Sequence, residues 1–108
     1  MQYTEEQICV FIAAIICAQD GVISGSEVER MYEVLCTRYR QLTKSAFDQL
    51  LDEFYETNLN LEDCTDLVSD SELRHFIVSL AQKSASADEL EIRENIALQK
   101  LMQIWGAK

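Results

Sequence analysis

Residues 8–18 read Ile8-Cys9-Val10-Phe11-Ile12-Ala13-Ala14-Ile15-Ile16-Cys17-Ala18, and the reading of this run decides the fold. A helix that is apolar on every side must be wrapped by other elements, so the remaining chain is expected to form its jacket. Directly after it comes Gln19-Asp20-Gly21-Val22-Ile23-Ser24-Gly25-Ser26-Glu27-Val28, a short turn and the opening of a second helix. Thr4 and Gln7 form a capping-box pattern that starts the first helix near Glu5, and Gly21 supplies a left-handed residue that ends it after about Gln19. Ser24 with Glu27 repeats the box, and Ile23 with Val28 occupies the two positions of a hydrophobic staple.

Outward from this core, amphipathic spacing recurs. Val28, Met31, Tyr32, Leu35 and Tyr39 share one helical face. Thr43 is expected to cap a third helix whose inner side is Phe47, Leu50, Leu51 and Phe54. Asn58-Leu59-Asn60 reads as a loop, followed by a short helix between Leu61 and Val68. Ser69 with Glu72 predicts the next cap, and Leu73, Phe76, Ile77 and Leu80 the next buried face. A loop around Lys83–Ala85 and a box at Ser86 and Glu89 are expected to precede a last helix carrying Leu90, Ala97, Leu98, Leu101, Ile104 and Trp105, with Gly106 as its end signal.

No proline interrupts the 108 residues, which favours long helices over turn-rich sheets. The expected fold is all-α: a single compact bundle of five to six helices, about 13 Å in radius of gyration, with two helix–turn–helix repeats around the first helix as one arrangement. An 11-residue apolar run is shorter than a bilayer span, and Glu5 and Glu6 precede it where a signal peptide carries positive charge. A cytoplasmic location is expected.

The formal net charge of −10, from 19 acidic and 9 basic side chains, sets nucleic acid and anionic membranes aside as partners. Between Lys44 and Arg74 lie nine acids and no base: Asp48, Asp52, Glu53, Glu56, Glu62, Asp63, Asp66, Asp70 and Glu72. Such a run is either a solvated helical face or a docking surface for a basic protein; Asp48, Asp52, Glu53, Glu56, Asp63 and Asp66 are the expected partner contacts.

The four cysteines, at 9, 17, 36 and 64, form no Cys-x-x-Cys pair, and the single histidine, His75, has no partner at a zinc-ligand spacing. Free thiols in a reducing compartment are expected, with Cys36 and Cys64 reactive if exposed beside a base, and Arg38 near Cys36. No nucleophile has an identifiable base and orienting group, so no enzymatic role is expected.

The two capping turns echo each other: Ala18 to Glu29 against Ala81 to Glu91, one residue shorter. The segment Ala18-Gln19-Asp20-Gly21-Val22-Ile23-Ser24, with Glu27 behind it, resembles the signature of the TerB-like domains of the tellurite-resistance family. Lys83-Ser84 stand where that family's second Asp-Gly is expected. The resemblance covers about residues 8–105 and so treats 1–108 as a single domain. It implies an all-helical bacterial or phage-borne domain serving a stress response through metal-ion or partner binding, with no catalytic reaction.

Asp20, Gly21, Ile23, Ser24 and Glu27 also match the second half of a calcium-binding EF-hand loop. Its first and third ligand positions would fall on Ile16 and Ala18, which excludes a complete hand. A looser site for calcium, magnesium or manganese remains as an expectation, with Asp20, Ser24 and Glu27 as ligands and Glu89 or Glu91 added by the second turn. Helix stop, cap and staple account for all of the first-turn residues except Asp20 without any ligand. Three functional readings result: a small acidic interaction domain of a bacterial stress-response system, a phage or plasmid accessory or assembly protein that docks on a basic partner without a ligand, and a cation-responsive module whose helices shift on binding.

Overall fold

A computed structural model describes residues 3–88 and 92–106, with backbone only at Asp20. Within them the chain forms α1 (Glu5–Cys17), a 3-10 turn (Ala18–Asp20), α2 (Gly25–Arg38), α3 (Lys44–Glu56), α4 (Leu61–Thr65), α5 (Ser71–Ala85) and α6 (Ile92–Ile104). The radius of gyration is 12.5 Å. No strand occurs among the described residues, and none of their helices is long and apolar enough to cross a membrane.

α1 begins where its capping box predicts. Gln7 N donates to Thr4 Oγ1 at 3.1 Å, and Thr4 N donates to Gln7 Oε1 at 2.8 Å. From Ile8 to Cys17 every side chain is buried except Ile15, which is half-buried. α5 and α3 cover most of this surface, and α4, the 3-10 turn, α6 and α2 close the rest. α2 lies chiefly along α5, so α1 and α5 form the spine of the bundle. Phe47, Met31, Leu35, Ile77, Leu80 and Leu101 fill the space around it, all fully buried.

The expected turn after α1 is present in detail. The chain tightens into the 3-10 turn, and Gly21, at φ 99°, donates its N–H to Ala18 O at 2.9 Å. A side chain there would be strained by the left-handed backbone, which is why glycine ends this helix.

The expectations for both ends of α5 are corrected. The cap of α5 is Asp70, not Ser69: Asp70 Oδ2 accepts from Leu73 N at 2.8 Å, and the helix starts at Ser71. A carboxylate at this position gains from the helix dipole as well as from the hydrogen bond, so it wins over the neighbouring hydroxyl. The expected loop at residues 83–85 is the last turn of α5, since no glycine stops the helix there and Ser84 and Ala85 are drawn into the core. Ser86 accordingly closes α5, at φ −87° and ψ 1°, rather than opening a helix, and Glu89 and Leu90 lie outside the described residues.

Trp105 follows α6 instead of belonging to it, and its indole N–H donates to Thr65 O at 3.4 Å, tying the end of α6 to α4. Gly106, at φ 62°, closes this turn as expected.

Since Ile12 is fully buried at the centre of α1, Ile12→Ala is expected to cost about 2–5 kcal/mol in urea unfolding, with an unchanged m-value.

Candidate functional site

The turn between α1 and α2 is built from backbone needs first. Ser24 stands at the start of α2 with extended backbone, its Oγ accepting from Glu27 N at 3.1 Å. Glu27 reaches back, and its Oε1 accepts from Ser24 N at 2.9 Å. This reciprocal pair occupies Glu27, which is only 4% exposed, with a structural task. Ile23 and Val28 both pack into the core beside it, as the staple requires.

The second turn does meet the first, through a residue the sequence reading did not single out. The hydroxyls of Ser24 and Ser26 hydrogen-bond the Asp88 carboxylate and hold its pKa below the usual carboxylate range. Of the residues expected to hold a cation, Ser24 and Glu27 are thus brought together as helix-capping partners, and Glu91 lies outside the described residues. The side chain of Asp20 and the whole of Glu89 lie outside what the structure describes. Among the described residues no three histidine, cysteine or carboxylate side chains gather as metal ligands. The arrangement couples two turns by hydrogen bonds. Only spacing in three dimensions reveals it, because Asp88 and Ser24 are far apart in sequence.

Two of the thiols are held inert by burial. Cys9 and Cys64 are fully buried, and burial pushes their pKa values up to about 12 and about 11. Both stay protonated, and a protonated thiol is a weak nucleophile. Cys9 belongs to a network at the junction of α1 and α2. Tyr39 Oη donates to Glu5 Oε1 at 2.9 Å while accepting from Arg38 Nε at 3.3 Å. Having given its one proton to Glu5, Tyr39 Oη acts as the acceptor for the Cys9 thiol, 3.8 Å away. Burial, with Cys9 and Glu5 beside it, raises the Tyr39 pKa, so the phenol stays neutral. Arg38 also lies over the rings of Tyr39 and Phe76, at 5.8 and 5.4 Å from their centroids. The network fastens the end of α2 to the start of α1. Cys36 Sγ contacts Leu42 O at 3.8 Å, and His75 is exposed.

The acids expected to meet a partner divide by role. On α3, Asp48, Asp52, Glu56 and Glu53 spread over the arc opposite the buried Phe47 and Leu51. Lys44 Nζ holds Asp48 at 2.7 Å along one edge of that arc. Gln7 Nε2 donates to Glu53 Oε1 at 3.1 Å along the other, next to α1. On α4 the acids serve the helix itself: Asn60 and Asp63 form a capping box, and Lys100 pairs with Glu62, lowering its pKa. Asp66 is exposed at the end of α4. On the outward side of α6, Ile92 is 79% and Ile96 63% exposed, an apolar pair that lies off the helix's buried face.

Removing the cap in Ser24→Ala is expected to lower stability by about 0.5–2 kcal/mol in thermal or denaturant unfolding. For Asp88 the sign follows from its lowered pKa: its contribution is present above the ordinary carboxylate range and is lost as pH falls through the lowered value. The melting temperature of Asp88→Asn is therefore expected to lie below that of the native chain at neutral pH, with the gap closing on acidification.

No protein-family model, curated protein or solved structure matches this chain.

Proposed function

We propose that this chain is a non-catalytic interaction domain whose acidic α3 face docks on a basic protein surface. One observation supports this reading above the others: α3 packs chiefly on α1, leaving Asp48, Asp52 and Glu56 exposed on its far side. Lys44 is the only base on this helix, and it is already paired with Asp48. An acidic face of this kind raises the encounter rate with a positively charged partner and rejects acidic ones.

Solubility alone would explain scattered acids. Here the acids lie on the outer arc of one peripheral helix, and several of the remaining acids serve as caps or ion-pair partners. The resemblance to TerB-like domains would set such docking in a bacterial stress-response system, and that assignment rests on residues 18–27.

The test is affinity capture from the native host with the unaltered chain and with Asp48→Asn, Asp52→Asn and Glu56→Gln combined. The expected result is a basic protein retained at about 0.1 M salt, released toward about 1 M, and not retained by the triple variant. A partner held equally by both chains and at both salt concentrations would overturn the reading.

A further inference from the structure

The edge of α3 nearest α1 carries more than charge. Ala46, Leu50 and Glu53 follow one another along this edge at helical spacing. Across from them stand Glu6 of α1 and Leu42 of the connection between α2 and α3. Together these residues line a surface groove that continues past Leu42 and Ala46 toward Arg40.

The groove has a definite chemical polarity. Its apolar lining is Leu42, Ala46 and Leu50, and Leu42 and Leu50 are half-buried. Glu6 and Glu53 belong to the same lining, and Arg40 lines its continuation. Glu53 is held in place by the hydrogen bond from Gln7, whose own carbonyl oxygen is fixed by Thr4 N. The groove is therefore carried on two helix starts that are already capped, Thr4 for α1 and Thr43 for α3. A preformed recess of this kind takes a ligand without the ordering cost of a mobile loop.

We infer that this groove binds a short segment of a partner protein, with an aliphatic side chain seated against Leu42, Ala46 and Leu50 and a neighbouring lysine or arginine placed between Glu6 and Glu53. Charge complementarity selects the occupant. The two carboxylates repel an acidic segment, and a second copy of this chain, with its net charge of −10, is a poor occupant for the same reason. The apolar lining adds what a purely ionic contact lacks, a desolvated anchor site. This inference rests on the docking role proposed for α3, and it narrows that role from a general acidic face to one edge with a defined ligand.

The test is selection from a random peptide library displayed on phage against the full chain, followed by fluorescence anisotropy with the enriched peptides. Enriched peptides are expected to carry an aliphatic residue next to Lys or Arg. They are expected to bind about tenfold or more weakly to Ala46→Gln, which fills the groove without changing its charge. Ala46 is exposed, so this variant is expected to keep its native melting temperature, which is checked alongside. Asp48→Asn combined with Asp52→Asn, on the outer arc, is expected to leave peptide affinity within about twofold at moderate salt. Enriched peptides that lack the pattern, absence of enrichment, or binding insensitive to Ala46→Gln would overturn the inference. Concentration-dependent self-association abolished by Ala46→Gln would do so as well, by assigning the groove to a second copy. If peptides bind as expected while the triple α3 variant still captures its host partner, the groove stands and the wider acidic-face reading fails.

Discussion

The burial of α1 on all sides is the constraint on which the rest of this structure depends. An amphipathic helix can leave one side in water, but a run from Ile8 to Cys17 with no polar side chain has no side to leave there. Covering it takes chiefly α5 and α3, with α4, α6 and α2 closing the rest, and these helices are amphipathic because they serve as cover. At about 25 cal/mol per Å² of apolar surface, a fully enclosed helix is the largest single source of stability such a small domain can have. It also dictates what is left for function. With α1 enclosed, the surface left open to solvent is that of its cover helices and the connections between them.

Those outer surfaces differ. The outward side of α3 is acidic, that of α6 carries two exposed isoleucines, and α4 is a single short turn whose acids are occupied by its cap and by Lys100. The helix junctions are fastened by polar networks. Cys9, Tyr39, Glu5 and Arg38 lock the end of α2 onto the start of α1, and Asp88 bridges the second turn to Ser24 and Ser26. These networks use groups that could have been chemical, a thiol, a phenol and several carboxylates, as connectors. The raised pKa values of Cys9 and Tyr39 are the electrostatic signature of that use: burial keeps both neutral and hydrogen-bonded.

Capping explains why much of the candidate cation site was legible and why its chemistry was not. Ser24 and Glu27 are three residues apart at a helix start, a spacing that by itself predicts two hydrogen bonds, and both are present. The same local logic misplaced the start of α5 by one residue, because Ser69 and Asp70 are both good caps and sequence alone does not weigh the dipole gain of a carboxylate against a hydroxyl. It also placed a loop at residues 83–85. A weak local stop signal yielded there to burial of Ser84 and Ala85 in the core. The equivalence of the two turns is correspondingly reduced, since the first leaves its helix through a left-handed glycine and the second does not.

Local pattern thus determined the all-helical class, the enclosed first helix, the caps of α1, α2 and α3, and the acidic outer side of α3, because each depends on residues within about one or two helical turns of one another. Contacts between residues distant in sequence were decided only by the tertiary structure. Gln7 reaches Glu53, Trp105 reaches Thr65, and Asp88 reaches Ser24 and Ser26, and none of these pairs has a spacing that periodicity can report. The groove beside Ala46 and Leu50 belongs to the same class. It exists because the packing of α3 on α1 sets two helix starts side by side, and the angle of that packing is a property of the whole core.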